Sequence, residues 1–372
     1  MSSALFQPIQ LAGLSMSNRI VIAPMCQYSA EDGSATDWHM IHLGQLALGG
    51  AGLLILEATA VEPEGRITPG DLGLYSDANE QALARVVAAI RRYSPIKLGI
   101  QINHAGRKAS SRAPWDGGAQ IPPDASHGWH AVAPSAIPHT QGEVPPVALD
   151  AAGLARVREG FAHTARRALR LGLDMIELHG AHGYLLHQFL SPLSNQRCDA
   201  YGGSLENRMR FPLEVFDAVR SAVPRVVPIS MRVSAMDWID GGWDLDQTVA
   251  FAKALQARGC DIMHVSTGGL SPAQAIPLSA GYQVPFAARV REATGMPTIA
   301  VGLITEAAQA EAILQEGSAD MVALARGMLY DPRWAWHAAA ELGGQVSAPP
   351  QYWRCQPRAQ KTLFNDATTG QR

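Results

Sequence analysis

VPISMRV (227–233), DIMHVS (261–266), TIAVG (298–302) and MVALA (321–325) each head a helical pattern, at 244–257, 283–294, 305–316 and 332–341. Short β-branched runs alternating with helices imply right-handed βαβ units and a parallel sheet. The alternation extends upstream. MIEL (175–178) precedes a helical pattern at 207–223, and KLGIQIN (97–103) precedes one at 150–171. Asp150 suits the N-cap of that helix and Gly172 its C′ position. LLILEAT (53–59) precedes a helix at 79–93, and a strand at Arg19–Ala23 precedes one at Asp37–Leu48. Eight strands and eight helices predict an α/β fold, a closed (β/α)8 barrel. Residues 1–17 predict a small N-terminal hairpin or cap.

A chain of 372 residues fits one such unit, since these barrels use about 250 or more. With 47% hydrophobic and 17% charged residues, a large core is available. The net charge of −3, with no basic run, argues against nucleic acid. No apolar run is long enough to span a bilayer. The N-terminus lacks the pattern of a signal peptide. Four cysteines without framework spacing predict a reduced, cytoplasmic protein. One domain is expected over residues 1–354, with a capping insertion after the third strand at 104–146. Residues 355–372 are expected to form a C-terminal arm.

In this fold the chemistry sits at the C-terminal ends of the strands. The fourth strand leads into HGAHGYLLHQFLSPLSNQRCDAYGGSLENRMRF (179–211), read as a long structured loop that ends where the helical pattern at 207–223 begins. His179 and His182 can donate to a carbonyl oxygen or oxyanion, and Tyr184 can give up a proton. The first strand ends in Pro24, Met25, Cys26, Gln27 and Tyr28. Ala58, after the second, admits a flat ligand. Gln101 and Arg232 lie deeper in the mouth. They can bond a heterocycle and stabilise negative charge on it, or act as structural partners. Gly302, Ala325 and Arg326 form a phosphate-binding pattern after strands seven and eight. Cys26 reads as a small buried hydrophobe. Trp38, Trp115 and Trp129 read as packing residues. Glu177, His179 and His182 invite a metal reading, but no third ligand follows at typical spacing, and no metal is expected.

PMCQYS, EATAVEPEGRITPGDLG, IQINHAGRK, MRVSA, AVGLIT and LARGML, together with the 179–211 segment, resemble the Old Yellow Enzyme family. The thermophilic-like subgroup is the nearest match, partly because His182 stands where many yeast-type relatives have Asn. The similarity spans residues 18–354. It implies FMN-dependent reduction of activated C=C bonds, in unsaturated carbonyls, imides and nitroalkenes, driven by NADPH or NADH. Pro24, Met25, Cys26 and Ala58 would then contact the flavin, with Gln101 on its pyrimidine edge and Arg232 facing N1. Gly302, Ala325 and Arg326 would hold the phosphate. His179, His182 and Tyr28 would bind substrate, and Tyr184 would be the proton donor. Cys26 would tune the flavin. Arg354 would enter a neighbouring subunit's site in a homodimer or dimer of dimers, although Arg358 also lies in the tail. The rivals are a xenobiotic reductase of nitrate esters or nitroaromatics, a metal-dependent hydrolase, and a flavin binder without turnover.

Overall fold

Strands buried on both faces must be apolar on both. Every residue of LLILEATA and ISMRVS is buried. The computed structural model describes residues 3–365, 367 and 368. Two short strands, β1 (Ile9–Leu11) and β2 (Leu14–Met16), form the antiparallel hairpin. The following strands are β3 (Ile20–Ile22), β4 (Leu53–Ala60), β5 (Lys97–Asn103), β6 (Val132–Ala133), β7 (Val147–Ala148) and β8 (Met175–Gly180). The last four are β9 (Ile229–Ser234), β10 (Ile262–Ser266), β11 (Thr298–Val301) and β12 (Met321–Leu324). All but β1, β2, β6 and β7 join one closed barrel, in the order β3-β4-β5-β8-β9-β10-β11-β12. The barrel pairs are all parallel. This is the (β/α)8 barrel that the alternation predicts.

Side chains alternate across each strand and sort into two cores. Leu53 and Ile55 join Val21, Met175, Ile299 and Met321 in one cluster, which Leu11, Leu14 and Met16 of the hairpin complete. Leu54 and Leu56 belong instead to the larger core that includes residues of the surrounding helices. The hairpin therefore plugs the barrel interior at its N-terminal end and leaves the opposite mouth for chemistry.

The helices are α1 (Asp37–Ala47), α2 (Asp77–Tyr93), α3 (Ala151–Arg170), α4 (Leu185–Leu190) and α5 (Leu205–Ala222). After them come α6 (Leu245–Ala257), α7 (Val284–Thr294), α8 (Ala307–Gln315), α9 (Arg326–Tyr330) and α10 (Trp334–Leu342). Asp150 caps α3 by accepting from the Gly153 N–H, and Gly172 follows with φ +72°. Ser76, Ser204 and Asp244 cap α2, α5 and α6 in the same way.

Two expectations need correction. The segment after His179 is not wholly loop, because α4 forms within it. All six residues of α4 are buried, His187 and Gln188 included, so LLHQFL has no solvent face to betray a helix. The second is Trp38 and Trp115, expected to pack: they are 48% and 67% exposed.

Residues 104–146 carry two one-turn 3-10 helices, Gly106–Lys108 and Pro114–Asp116, and the strand β6. Ala105, Ala109 and Ala131 pack with Cys26, Trp129 and Tyr184, which brings this segment over the mouth. The C-terminal arm turns back on its own chain. Phe364 packs on Trp336 with ring centroids 4.9 Å apart, and Tyr352 lies 6.2 Å from the same ring. Of the expected arm at 355–372, positions 366 and 369–372 lie outside the described residues.

Candidate active site

In β8 the inward positions are Met175, Glu177 and His179, two apart. His179 is the last of them and emerges at the mouth. The chain then turns sharply. His182 adopts φ +56° and Gly183 φ +74°. A Cβ on Gly183 would collide with the carbonyl oxygen of Gly269, so glycine is needed there for both conformation and space. The turn brings three rings together. His179 lies edge-on to His182 at 5.2 Å and to Tyr184 at 4.8 Å. Tyr28, at φ +51°, is a second non-glycine residue held in the left-handed region at this mouth. Such outliers persist where the surrounding structure fixes them, often at functional sites.

Protonation follows from the hydrogen bonds. His179 Nδ1 accepts from the Ala181 N–H at 3.3 Å, so Nε2 carries the proton and is free to donate. His182 Nε2 lies 2.8 Å from Ser266 Oγ. Ser266 donates its proton to Gln283 Oε1 at 3.1 Å, and Thr267 donates to the same oxygen at 2.8 Å. In that arrangement His182 donates from Nε2 to Ser266, and its Nδ1 is an acceptor. Burial first, then the Arg232 cation, holds both imidazoles well below their ordinary range, so they are neutral. Burial, with Cys26, Tyr28 and Asp71, pushes the Tyr184 phenol up, so it keeps its proton. Burial, with Asp71 and Glu57, likewise keeps Cys26 a thiol. A thiol is a poor nucleophile.

Lys108 ties two loops together. Its ammonium donates to the carbonyls of His182 at 3.0 Å and Gly269 at 3.2 Å, and it sits 5.1 Å from the Tyr184 ring centroid. Burial, then Arg107, pushes its pKa down to about 8.

Below these rings lies a polar layer. Glu177, fully buried, accepts from Gln101 Nε2 at 2.8 Å and Ser230 Oγ at 3.2 Å, and its other contact is His264 Nδ1 at 2.9 Å. Burial alone would raise the Glu177 pKa. His264, Arg232 and Gln101 outweigh it and hold the group below the usual carboxylate range. Arg232 is paired in register with His179 on one side and His264 on the other. Its Nε is buried without a hydrogen-bond partner. A buried orphan donor in a native structure calls for a partner, and the N1 edge of FMN would provide one. The register shift in β4 between Leu56 and Ala58 sets Ala58 opposite Gln101. Glu57 instead meets the Gln27 N–H at 2.9 Å and His39 at 3.3 Å. A small methyl is thus left where a flat ring would lie.

On the neighbouring strand ends, Gly302 has φ +117°, and a Cβ there would collide with the Gln283 amide. Ala325 is the N-cap residue of α9, and Arg326 opens that helix. Arg326 is exposed and makes no hydrogen bond or ion pair among the described residues. A free guanidinium beside a glycine turn fits a phosphate. The residues present therefore suit FMN at both its ring and its phosphate.

The strand ends bring His179, His182, Tyr184, Gln101 and Arg232 to one mouth, with Cys26 in contact through the apolar cluster around Tyr184. Arg354 is not among them. It is exposed on a 3-10 turn, Pro350–Cys355. Nearby Ser347, Ala348 and Pro349 line a cavity with Gly52 and Lys97, at the opposite end of the barrel. His264 and Gln283 were missed by sequence reasoning. The signal for His264 was its parity: in DIMHVS it shares a strand face with Ser266.

Comparison with known proteins agrees with this architecture. Residues 4–344 match the NADH:flavin oxidoreductase / NADH oxidase family. The chain is 44% identical over 356 residues to an NADPH dehydrogenase of Geobacillus sp. (strain WCH70), covering 95% of this chain and 99% of that protein. It is 42% identical over 356 residues to an NADPH dehydrogenase of Bacillus subtilis (strain 168), with the same coverage. A solved morphinone reductase in complex with tetrahydroNAD superposes with a TM-score of 0.76 at 27% identity, covering 98% of this chain and 95% of that one. A buried arginine at the barrel mouth whose Nε has no partner, and relatives of this identity over nearly the whole length, lead to one conclusion: the chain belongs to the NADH:flavin oxidoreductase / NADH oxidase family, FMN enzymes of the Old Yellow Enzyme type that use a nicotinamide reductant.

Proposed function

We propose that this enzyme reduces activated C=C bonds in α,β-unsaturated aldehydes, ketones, imides and nitroalkenes. The observation that carries the proposal is a neutral histidine donor grouped with a protonated tyrosine. Bound FMN would supply the hydride chemistry, with NADPH or NADH as the reductant and the substrate β-carbon as the acceptor. His179 Nε2–H donates to the carbonyl or nitro oxygen, where charge develops. His182 joins it once the Ser266 hydroxyl turns from Gln283 to donate to Nε2, which leaves the imidazole proton on Nδ1. Tyr184 gives its phenolic proton to the α-carbon and regains one from solvent. Tyr28 closes one side of the substrate pocket.

Pro24, Met25, Cys26 and Ala58 flank the ring in this reading, and Gln101 meets its pyrimidine edge. Arg232 would offset negative charge on it, and Gly302, Ala325 and Arg326 would hold the phosphate. Arg354, exposed behind its own barrel, serves a second chain, so a homodimer or dimer of dimers belongs to the proposal. Rapid mixing separates the half-reactions. Tyr184→Phe should slow oxidation of the reduced enzyme by a cyclic enone at least about 100-fold, the scale of general acid catalysis. It should spare reduction by NADPH. Slowed reduction with intact oxidation would overturn the assignment.

A further inference from the structure

Two adjoining cavities, of about 470 and 570 Å³, lead outward from Tyr184 across the segment at 104–146. They share Tyr28, Thr68 and Arg112. Lys108 and Tyr184 line the inner one, Trp115 and His127 the outer one. Each alone has the size of a small-molecule site. An enone held at His179 and Tyr184 needs only the inner cavity, which leaves the outer one without a ligand.

The cations of this groove differ in their commitments. Arg107 donates to the carbonyls of Pro138 and Leu270, and Lys108 to those of His182 and Gly269. The Arg112 backbone donates to the Ala119 carbonyl at 2.8 Å. Its guanidinium makes no hydrogen bond or ion pair among the described residues. Two acids also line the groove. Glu143 accepts from the Thr140 N–H at 2.9 Å, and Asp116 sits in the turn beside Trp115. Trp115 is 67% exposed, and its ring meets Tyr28 edge-on at 5.6 Å and 75°. Gly117 and Gly118 follow it, with open space where a Cβ would stand. A free guanidinium and a bare indole in one cavity suit a ligand that carries phosphate and a flat base.

We propose that the outer cavity binds the adenosine half of the reduced nicotinamide dinucleotide, with its phosphates on Arg112 and its adenine against Trp115. The inference rests on the reading of a nicotinamide-driven flavin reductase. It adds that this segment selects the reductant, since the outer cavity lies beyond what an enone fills. Arg112 thus acts in the reductive half-reaction alone.

The test compares NADPH with reduced nicotinamide mononucleotide, which has the same reacting ring and no adenosine. Flavin bleaching of the FMN-loaded full chain is followed by rapid mixing. Arg112→Ala should raise the half-saturating NADPH concentration about tenfold, the size of one charge-assisted hydrogen bond. The mononucleotide should be unaffected. Trp115→Ala should behave in the same way, and Trp115→Phe should recover part of the loss. By calorimetry, adenosine 2′,5′-bisphosphate should bind Arg112→Ala about tenfold more weakly than the wild type, a readout independent of turnover. An equal loss with both reductants, or no loss with NADPH, would overturn the inference. So would a change in oligomeric state in Arg112→Ala with unchanged NADPH saturation, because a second copy would then cover the groove. A wild type bleached by neither reductant would remove the flavin-reductase reading itself, and the groove with it.

Discussion

Replacing Glu177 with glutamine keeps the shape of the side chain and removes its charge. Gln101, Ser230 and His264 converge on the carboxylate. An amide presents one acceptor oxygen and two hydrogens to the same partners. Ser230 can rotate its hydroxyl. His264 can move its proton to Nε2, which is buried and has no partner. The hydrogen bonds therefore largely survive, and loss of charge dominates. Glu177 is the strongest opposing charge acting on Arg232, which burial already disfavours as a cation. The two make no contact ion pair among the described residues, and at an effective dielectric of about 20 a unit charge roughly 6 Å away is worth about 3 kcal/mol. Unfolding entropy is about 2.1 cal/mol/K per residue, so over 372 residues 1 kcal/mol shifts Tm by about 1.3 °C. The expected fall is about 4 °C by calorimetry.

The same substitution has a second readout. An uncompensated Arg232 favours the more negative, reduced state of a flavin beside it. The reduction potential of bound FMN should therefore rise in Glu177→Gln, measured against a reference dye. A Tm within about a degree of wild type, together with an unchanged potential, would refute the reasoning. Arg232 would then not depend on Glu177, and its unpartnered Nε would need another explanation.

Arg326→Ala should weaken FMN binding about tenfold, the scale of one charge-assisted phosphate contact, as followed by FMN fluorescence on dilution. Lys108 titrates at about 8, whereas an unfolded lysine keeps its proton to about 10.4. The unfolded state binds more protons in that window, so stability should rise with pH from about 8 to about 10. Lys108→Met should flatten that rise in denaturant midpoints. Truncation after Pro350 should change the sedimentation coefficient beyond the lost mass, and Arg354→Ala should alter substrate affinity in the full-length chain. An effect confined to Arg358→Ala would move the intersubunit contact four residues along the chain.

How much of this was legible in the sequence depended on the range of the interaction. Strand runs, caps such as Asp150, and the crowding of His179, His182 and Tyr184 are local, and they read correctly. The buried helix α4 did not, because a helix with no solvent face leaves no amphipathic period. Nor did the state of His182, which is set by Ser266 and Gln283 on an element far along the chain.

The Glu177 layer is the instructive intermediate case. Its partner His264 is 87 residues away, and no spacing rule links them. Yet β8, β9 and β10 are adjacent, and their register pairs Glu177 with Ser230 and Arg232 with His264. Side chains alternate with period two. Once the inward parity of Glu177 is fixed by Met175 in the interior core, Ser230, Arg232 and His264 must point inward as well. An acid, a cation and an imidazole confined to one dry layer must satisfy one another, because each alone would carry a large desolvation cost. Barrel closure thus turns isolated polar residues in apolar strands into a network. Arg232 Nε and His264 Nε2 are both left unpartnered, and Arg232, in register with His179, turns the layer upward to a ligand rather than closing it on itself.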